Sequence, residues 1–201
     1  IKNVVKEISE KMSLKIHGVY IIIPKKPALN AVYVKFSGEL NYIYIIGFLK
    51  DFFLIDEIKV ILAHEIAHAK KKHTVKLSII GKISSALALI LSSIIIMYYD
   101  SLPFPYAGSS FPILQLILTL LTTSLLLLLI PTLVTCYFAR KMELEADMEA
   151  AKLCGIDICI RTLRKLDSFS RRYATSTRRI PLMSTHLSIE KRVEKLQNKL
   201  L

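Results

Sequence analysis

Apolar residues along this chain recur in three different spacings, and each predicts a different kind of element. From Ile1 to Val19, Val4, Val5, Ile8, Met12 and Ile16 return every three or four positions, which predicts an amphipathic helix. Tyr20–Ile23, Ala31–Phe36 and Leu40–Ile46 are short β-branched and aromatic runs, broken by Pro24, Pro27 and Ser37-Gly38. They predict strands, the last two joined as a hairpin. Helical spacing returns from Asp56, read as the N-cap, through Lys72. Two long apolar blocks follow. Leu77–Tyr99 is 23 residues, roughly 34 Å as a helix against roughly 30 Å of hydrocarbon. Lys82 interrupts it near its start and must snorkel or face protein. Phe111–Phe138 carries no charge in 28 residues, and Pro131 is expected to kink it near its end. A pair of buried core helices is the alternative, but soluble core helices seldom run this long without charge. Beyond the second block the pattern predicts a helix over about 140–153 stopped by Gly155, and another over about 157–170. A last one over 188–201 is capped by Ser188, with Ile189, Val193, Leu196 and Leu200 on one face.

Charge orients the two blocks. Lys70, Lys71, Lys72 and Lys76 precede the first, Arg140 and Lys141 follow the second, and Asp100–Ser110 between them has neither Lys nor Arg. Positive residues stay inside, so both ends of the hairpin are expected in the cytosol and the connection outside. The expected architecture is an α+β membrane protein, mainly helical with a small β-sheet or hairpin. Two cytoplasmic halves, 1–76 and 139–201, are interrupted by a transmembrane hairpin at 77–138, with spans of about 77–99 and 111–138. Composition agrees: of 201 residues 53% are apolar and 22% charged, which excludes disorder and a purely soluble globule. The net charge of +12 calls for an anionic partner, and beside two lipid-length blocks that partner is membrane lipid. The basic stretch Arg171, Arg172, Arg178 and Arg179 has no interleaved aromatic except Tyr173, so no nucleic-acid partner is expected. Three cysteines without a C-x-x-C pair predict neither a zinc finger nor a disulfide framework. Residues 1–20, which begin at Ile1, show no signal-peptide pattern.

The sharpest chemical signal is His64-Glu65-Ile66-Ala67-His68. Residues four apart on a helix stack on one face, so His64 and His68 can grip one zinc ion through their ring nitrogens. Zinc lowers the pKa of a water it binds from about 15.7 toward 7, and Glu65, next to the first histidine, is placed to take the proton. Val60, Ile61, Leu62, Ile66 and Ala67 surround the motif, which argues against two ordinary surface histidines. Catalytic zinc also needs a third protein ligand. His73 lies nine residues after His64, one short of the metzincin spacing, and reads as a solvated residue at the membrane surface. Glu143-Leu144-Glu145-Ala146-Asp147 is the other candidate: Glu143 and Asp147 share a helix face, while Glu145 is turned about 200° away. Glu143 can then ligate zinc and Asp147 can hydrogen-bond a ligand histidine. A charged surface helix has the same spacing. Topology favours the site, because two crossings return the acidic helix to the membrane face that the histidine helix left.

These residues resemble the membrane zinc metalloproteases that include the heat-shock protease HtpX and the CAAX-prenyl endopeptidases. The likeness runs from about residue 28 to the end. It includes Asn30-Ala31 ahead of a strand, with Val32 in place of the family's aromatic, Ile45–Leu49, and Val60–Ala63 leading into the motif. Asp147 with Ala150-Ala151, and Ser184-Thr185-His186 with Glu190-Lys191-Arg192, continue it. The resemblance implies one zinc per chain held by His64, His68 and Glu143, Glu65 as base, and His186 approaching the site to stabilise an oxyanion. Ala67 stands where the family usually has Gly, and Leu187 where Pro commonly follows the late histidine. Family members usually carry membrane helices ahead of the motif; none is evident here, as expected of a shortened chain.

The expected function is therefore a membrane-bound zinc metalloendopeptidase, multi-pass in the cell membrane with its active site on the cytoplasmic side. The resemblance points to HtpX-like proteolysis of membrane or misfolded polypeptides, which would pair with a strand edge near 31–46. Three alternatives stand beside it. One is a CAAX-type prenyl-protein endopeptidase. Another is an intramembrane protease, disfavoured by Lys59 and the lysines after His68. The third is a non-catalytic basic module that binds anionic lipid through the arginines at 161–179.

Overall fold

The computed structural model describes residues 1–22, 30–35, 41–47, 49–98, 112–173 and 187–198. The elements run α1 (Lys2–Lys11), β1 (Gly18–Ile22), β2 (Asn30–Lys35), β3 (Asn41–Ile46) and α2 (Leu49–Phe52). They continue with α3 (Ile55–Lys70), α4 (His73–Met97), α5 (Pro112–Cys154), α6 (Ile156–Tyr173) and α7 (Ile189–Asn198). The fold is mostly helical with one small sheet, as the pattern predicts.

Several boundaries differ from the sequence reading. The first helix stops at Lys11 because Ser13 takes a left-handed φ of 55°, and Leu14 N–H turns back to the Ser9 carbonyl at 2.9 Å. The chain then straightens into β1. At α3 the N-cap is Leu54 rather than Asp56: Leu54 is extended and its N–H donates to Glu57 Oε2 at 2.9 Å, half of a capping box. The second apolar block and the acidic helix are one helix, α5, which runs through Pro131 to Cys154. Pro131 has no N–H to give to the Leu127 carbonyl; its own carbonyl accepts from the Thr135 hydroxyl. Gly155 ends α5 at φ 91°, with its N–H on the Ala151 carbonyl.

In the sheet β3 is central, parallel to β1 and antiparallel to β2. The turn expected at Ser37-Gly38 lies outside the described residues. Period-two alternation sorts β3: Ile43 and Ile45 are fully buried, while Tyr42 and Tyr44 pack against Tyr20 of β1. The buried face joins a core made by Val5 and Ile8 of α1, Leu49 of α2 and Phe53 just after it, Leu62 and Ile66 of α3, Ala146 and Ala150 of α5, Leu163 of α6, and Leu196 of α7. Within it α3 packs against α1, α2, α6 and β2 and is buried on most of its circumference.

Two compact units divide the chain. One holds Ile1–Thr74 with the described residues from Arg140 on; the other is built on Val75–Ala139. In the second unit Ser84, Ala88 and Ser92 are buried at four-residue spacing on α4, as are Thr119 and Thr123 on α5. Small residues let two backbones approach closely; at Gly81 an added Cβ would lie 3.3 Å from Thr135 Cγ2. The outward side of this unit is largely apolar: Ile83, Leu87, Ile90, Leu120, Leu121 and Leu128 are all exposed. Both helices are long and apolar enough to cross a membrane, and only 17% and 11% of their most apolar stretches are buried. Core helices of a soluble protein would be covered instead.

Candidate metal centre

Two helices build the site. On α3, His64 and His68 stand one turn apart; on α5, Glu143 and Asp147 do the same on the face turned toward them. Nε2 of His64 lies 3.1 Å from Nε2 of His68. Glu143 Oε1 is 3.4 Å from His68 Nε2, and its Oε2 is 3.9 Å from His64 Nε2. These three residues form a group whose ligating atoms all lie within 4.8 Å of one another and that could hold a metal. Tetrahedral zinc with bonds of about 2.0–2.1 Å separates its ligand atoms by roughly 3.3 Å. The two ring nitrogens stand near that spacing and a Glu143 oxygen is close to each of them, so the donor set fits the ion.

Asp147 fixes one of the imidazoles. Its Oδ1 is 2.9 Å from His64 Nδ1, the nitrogen opposite the metal-facing one. Arg192 of α7 clamps the same carboxylate from the other side, Nε to Oδ2 at 2.7 Å and Nη2 to Oδ1 at 2.5 Å, with Nη1 3.7 Å from Glu143 Oε2. Burial alone would raise the Asp147 carboxyl, but the bonds from Arg192 and His64 hold it down at about 2. Burial opposes the charge on His64, and the Asp147 carboxylate overrides it and raises the ring above its ordinary value. His68 is pushed down to about 4 by burial first and by the neighbouring His64 next, which Glu143 only partly offsets.

Glu65 lies on the wall of a cavity of about 170 Å³, together with His64, Glu143, Asp147 and Arg192. Leu49, Val60, Ile61, Leu163 and Leu166 form its apolar side. His186 falls outside the described residues, and the role the resemblance implies for it rests on sequence alone. His73 is not the solvated residue its spacing implies: it is 3% exposed, with Nδ1 3.0 Å from Nδ1 of His68. The reason is local. Lys72 takes a left-handed φ of 54° between α3 and α4 and turns the chain back under the last turn of α3.

Sequence reasoning assigned no role to Arg192. A signal was present: on α7 it sits between Ile189 and Leu196 on the apolar face, where a cation needs a buried partner. Three basic residues of α6 have acidic partners. Arg161 and Lys165 reach the buried Glu57 at 3.3 and 2.7 Å, and Arg171 pairs with Asp167 and Glu190. Arg178 and Arg179 lie outside the described residues.

Comparison with known proteins gives the family. Residues 1–200 match Peptidase family M48. A Protease HtpX homolog of Neisseria meningitidis serogroup B is 26% identical over 206 residues, covering 98% of this chain and 71% of that protein. Protease HtpX of Pseudomonas fluorescens is 29% identical over 116 residues, 58% of this chain and 39% of that protein. Among solved structures, S. mikatae Ste24p superposes with a TM-score of 0.67 at 20% identity, over 97% of this chain. The chain spans 49% of the length of that structure, and the likeness concerns the fold. With a full-length family match, protease relatives and a compatible fold, the chain belongs to peptidase family M48.

Proposed function

We propose that this protein is a zinc-dependent endopeptidase anchored in the cell membrane, cleaving polypeptide segments at the cytoplasmic surface. The observation that carries the reading is the meeting of His64, His68 and Glu143, with all three ligating atoms within 4.8 Å. These side chains would hold one zinc ion. Bound there, zinc would act as a Lewis acid and make a water acidic enough to attack at neutral pH. Glu65, on the cavity wall, would take the proton of the attacking water and pass it to the leaving amine. Asp147 would keep the His64 proton on Nδ1, leaving the Nε2 lone pair free to ligate. Arg192 would hold Asp147 ionised for that task.

Substrate would enter as an extended strand. β2 is an edge of the sheet and packs beside α3, so a peptide added along it would run past the histidine helix. The outward apolar faces of α4 and α5 support two membrane spans, and the lysines and arginines flanking them support cytoplasmic placement of the site. The internal pairing of Arg161, Lys165 and Arg171 weighs against a purely lipid-binding module.

The test uses the full chain purified in detergent, with metal analysis and hydrolysis of an unfolded casein-like substrate. Glu65→Gln should keep one zinc and lose hydrolysis by at least about a hundredfold, the scale of general-base catalysis. Glu143→Gln and His64→Ala should lose the metal. A Glu65→Gln variant that cleaves like the wild type would overturn the mechanism, and a wild type that takes up no metal would overturn the site.

A further inference from the structure

His73 has no part in the hydrolysis just described, yet it is among the most buried polar residues of its unit. It opens α4, with its ring edge-on to that of His68 at a centroid distance of 4.9 Å. In an unbroken helix a residue five positions on is turned about 140° away and could not reach His68. The left-handed Lys72 makes the contact possible. Behind His73 stands Glu145, its Oε2 3.5 Å from His73 Nε2. Glu145 is the acid of α5 that the sequence turned away from Glu143, and His73 is what it faces.

Proton accounting gives this chain a direction. A 3.0 Å contact between two imidazole nitrogens holds a single proton. Glu145 Oε2, an acceptor, stands 3.5 Å from His73 Nε2, too far and too oblique for a hydrogen bond but near enough for its field to favour the His73 proton on that nitrogen. His73 Nδ1 is then the acceptor, and His68 must donate from its own Nδ1. That leaves a lone pair on His68 Nε2, 3.1 Å from His64 Nε2 and 3.4 Å from Glu143, where a shared cation would take the place that the proton takes between His68 and His73. The reverse assignment would aim a lone pair at Glu145 and put a proton where a metal must bind.

We propose that His73, backed by Glu145, is a positioning residue that grips His68 by its Nδ1–H and presents its Nε2 lone pair to the metal pocket. Both α3 imidazoles are then held at Nδ1, His64 by a carboxylate and His68 by an imidazole–carboxylate pair. The inference rests on the metal-site reading above and goes beyond its ligand set.

Cobalt(II) and zinc affinities, measured on the full chain in detergent against a competing chromophoric chelator, test it. Groups that orient a ligand histidine typically contribute 10–100-fold in affinity. His73→Leu should weaken binding by about that factor and alter the cobalt d–d absorption. His73→Gln, whose amide oxygen can accept from His68 Nδ1–H, should recover most of both. Glu145→Gln should give a smaller loss in the same direction; this half-exposed position is the deciding variant if His73→Leu fails to fold. Wild-type affinity and spectrum in His73→Leu, or in Glu145→Gln where the former does not fold, overturn the proposal while the ligand set stands. A wild type without metal, or undiminished binding in Glu143→Gln and His64→Ala, removes the ligand set and this proposal with it.

Discussion

Arg192→Met removes one half of a buried ion pair and leaves the other half in place. Asp147 is 1% exposed and receives two guanidinium bonds, at 2.7 and 2.5 Å. Stranding one partner of such a pair usually costs about 3–5 kcal/mol. Here His64 Nδ1 stays 2.9 Å from the same carboxylate, so the low end, about 3 kcal/mol, applies. The loss falls on α7, whose buried apolar side chains are Val193 and Leu196. Each contributes about 1.5–3 kcal/mol of burial, so the Arg192 clamp is comparable to the whole apolar anchor. At about 2–4 °C per kcal/mol for a chain of this size, the melting temperature should fall by roughly 6–12 °C. Circular dichroism in detergent reads the melt, and limited proteolysis at the junction before Ile189 should speed up in parallel. Asp147→Asn in the Arg192→Met background should cost less than in the wild type, because the charge it removes has already lost its partner. A single Arg192→Met variant melting within about 2 °C of wild type, against the several degrees expected, would refute the reasoning.

Other outcomes follow from the same unit. Burial would raise the Glu57 carboxyl, but Lys165, the Leu54 N–H and Arg161 override it and hold it below its ordinary 4.5. Its contribution to stability should be present above about pH 4.5 and disappear as pH falls through the lower folded value. Melts of wild type and Glu57→Gln should therefore differ clearly at pH 7 and converge in acid; a gap that persists in acid would exclude the charge as its cause. At Gly155, φ is 91° and an added Cβ meets nothing within 4 Å, so Gly155→Ala should cost only backbone strain, about 1–2 kcal/mol. Gly155→Asn should cost less, because Asn tolerates left-handed φ; chemical denaturation separates the two variants.

The local patterns were legible because they depend on periodicity alone. The three strand runs, the stacked pair His64 and His68 and the lipid-length blocks are each visible within a few turns of chain. Ser188 as a cap was also legible, and its Oγ accepts the Lys191 N–H at 3.4 Å. Helix ends were less so. Whether a chain turns at Ser13 or Lys72 depends on left-handed backbone angles that neither residue type announces. The continuity of α5 was hidden by Pro131, which marks a break in sequence although the helix runs through it.

What the amino-acid order determined by itself is the chemistry within one helix: two imidazoles on one face, a carboxylate beside them, two acids one turn apart elsewhere. Only the tertiary structure decided which of these groups meet. Glu143 could have lain on an outer surface with the same spacing, and it is the packing of α5 against α3 that brings its carboxylate to 3.4 Å from His68. Arg192 and His73 acquired partners in the same way, one through the seating of α7 and the other through a single turn at Lys72. The physical reason is range: helical periodicity acts over a few residues, whereas a buried charge finds its counter-charge only when distant segments share one low-dielectric interior.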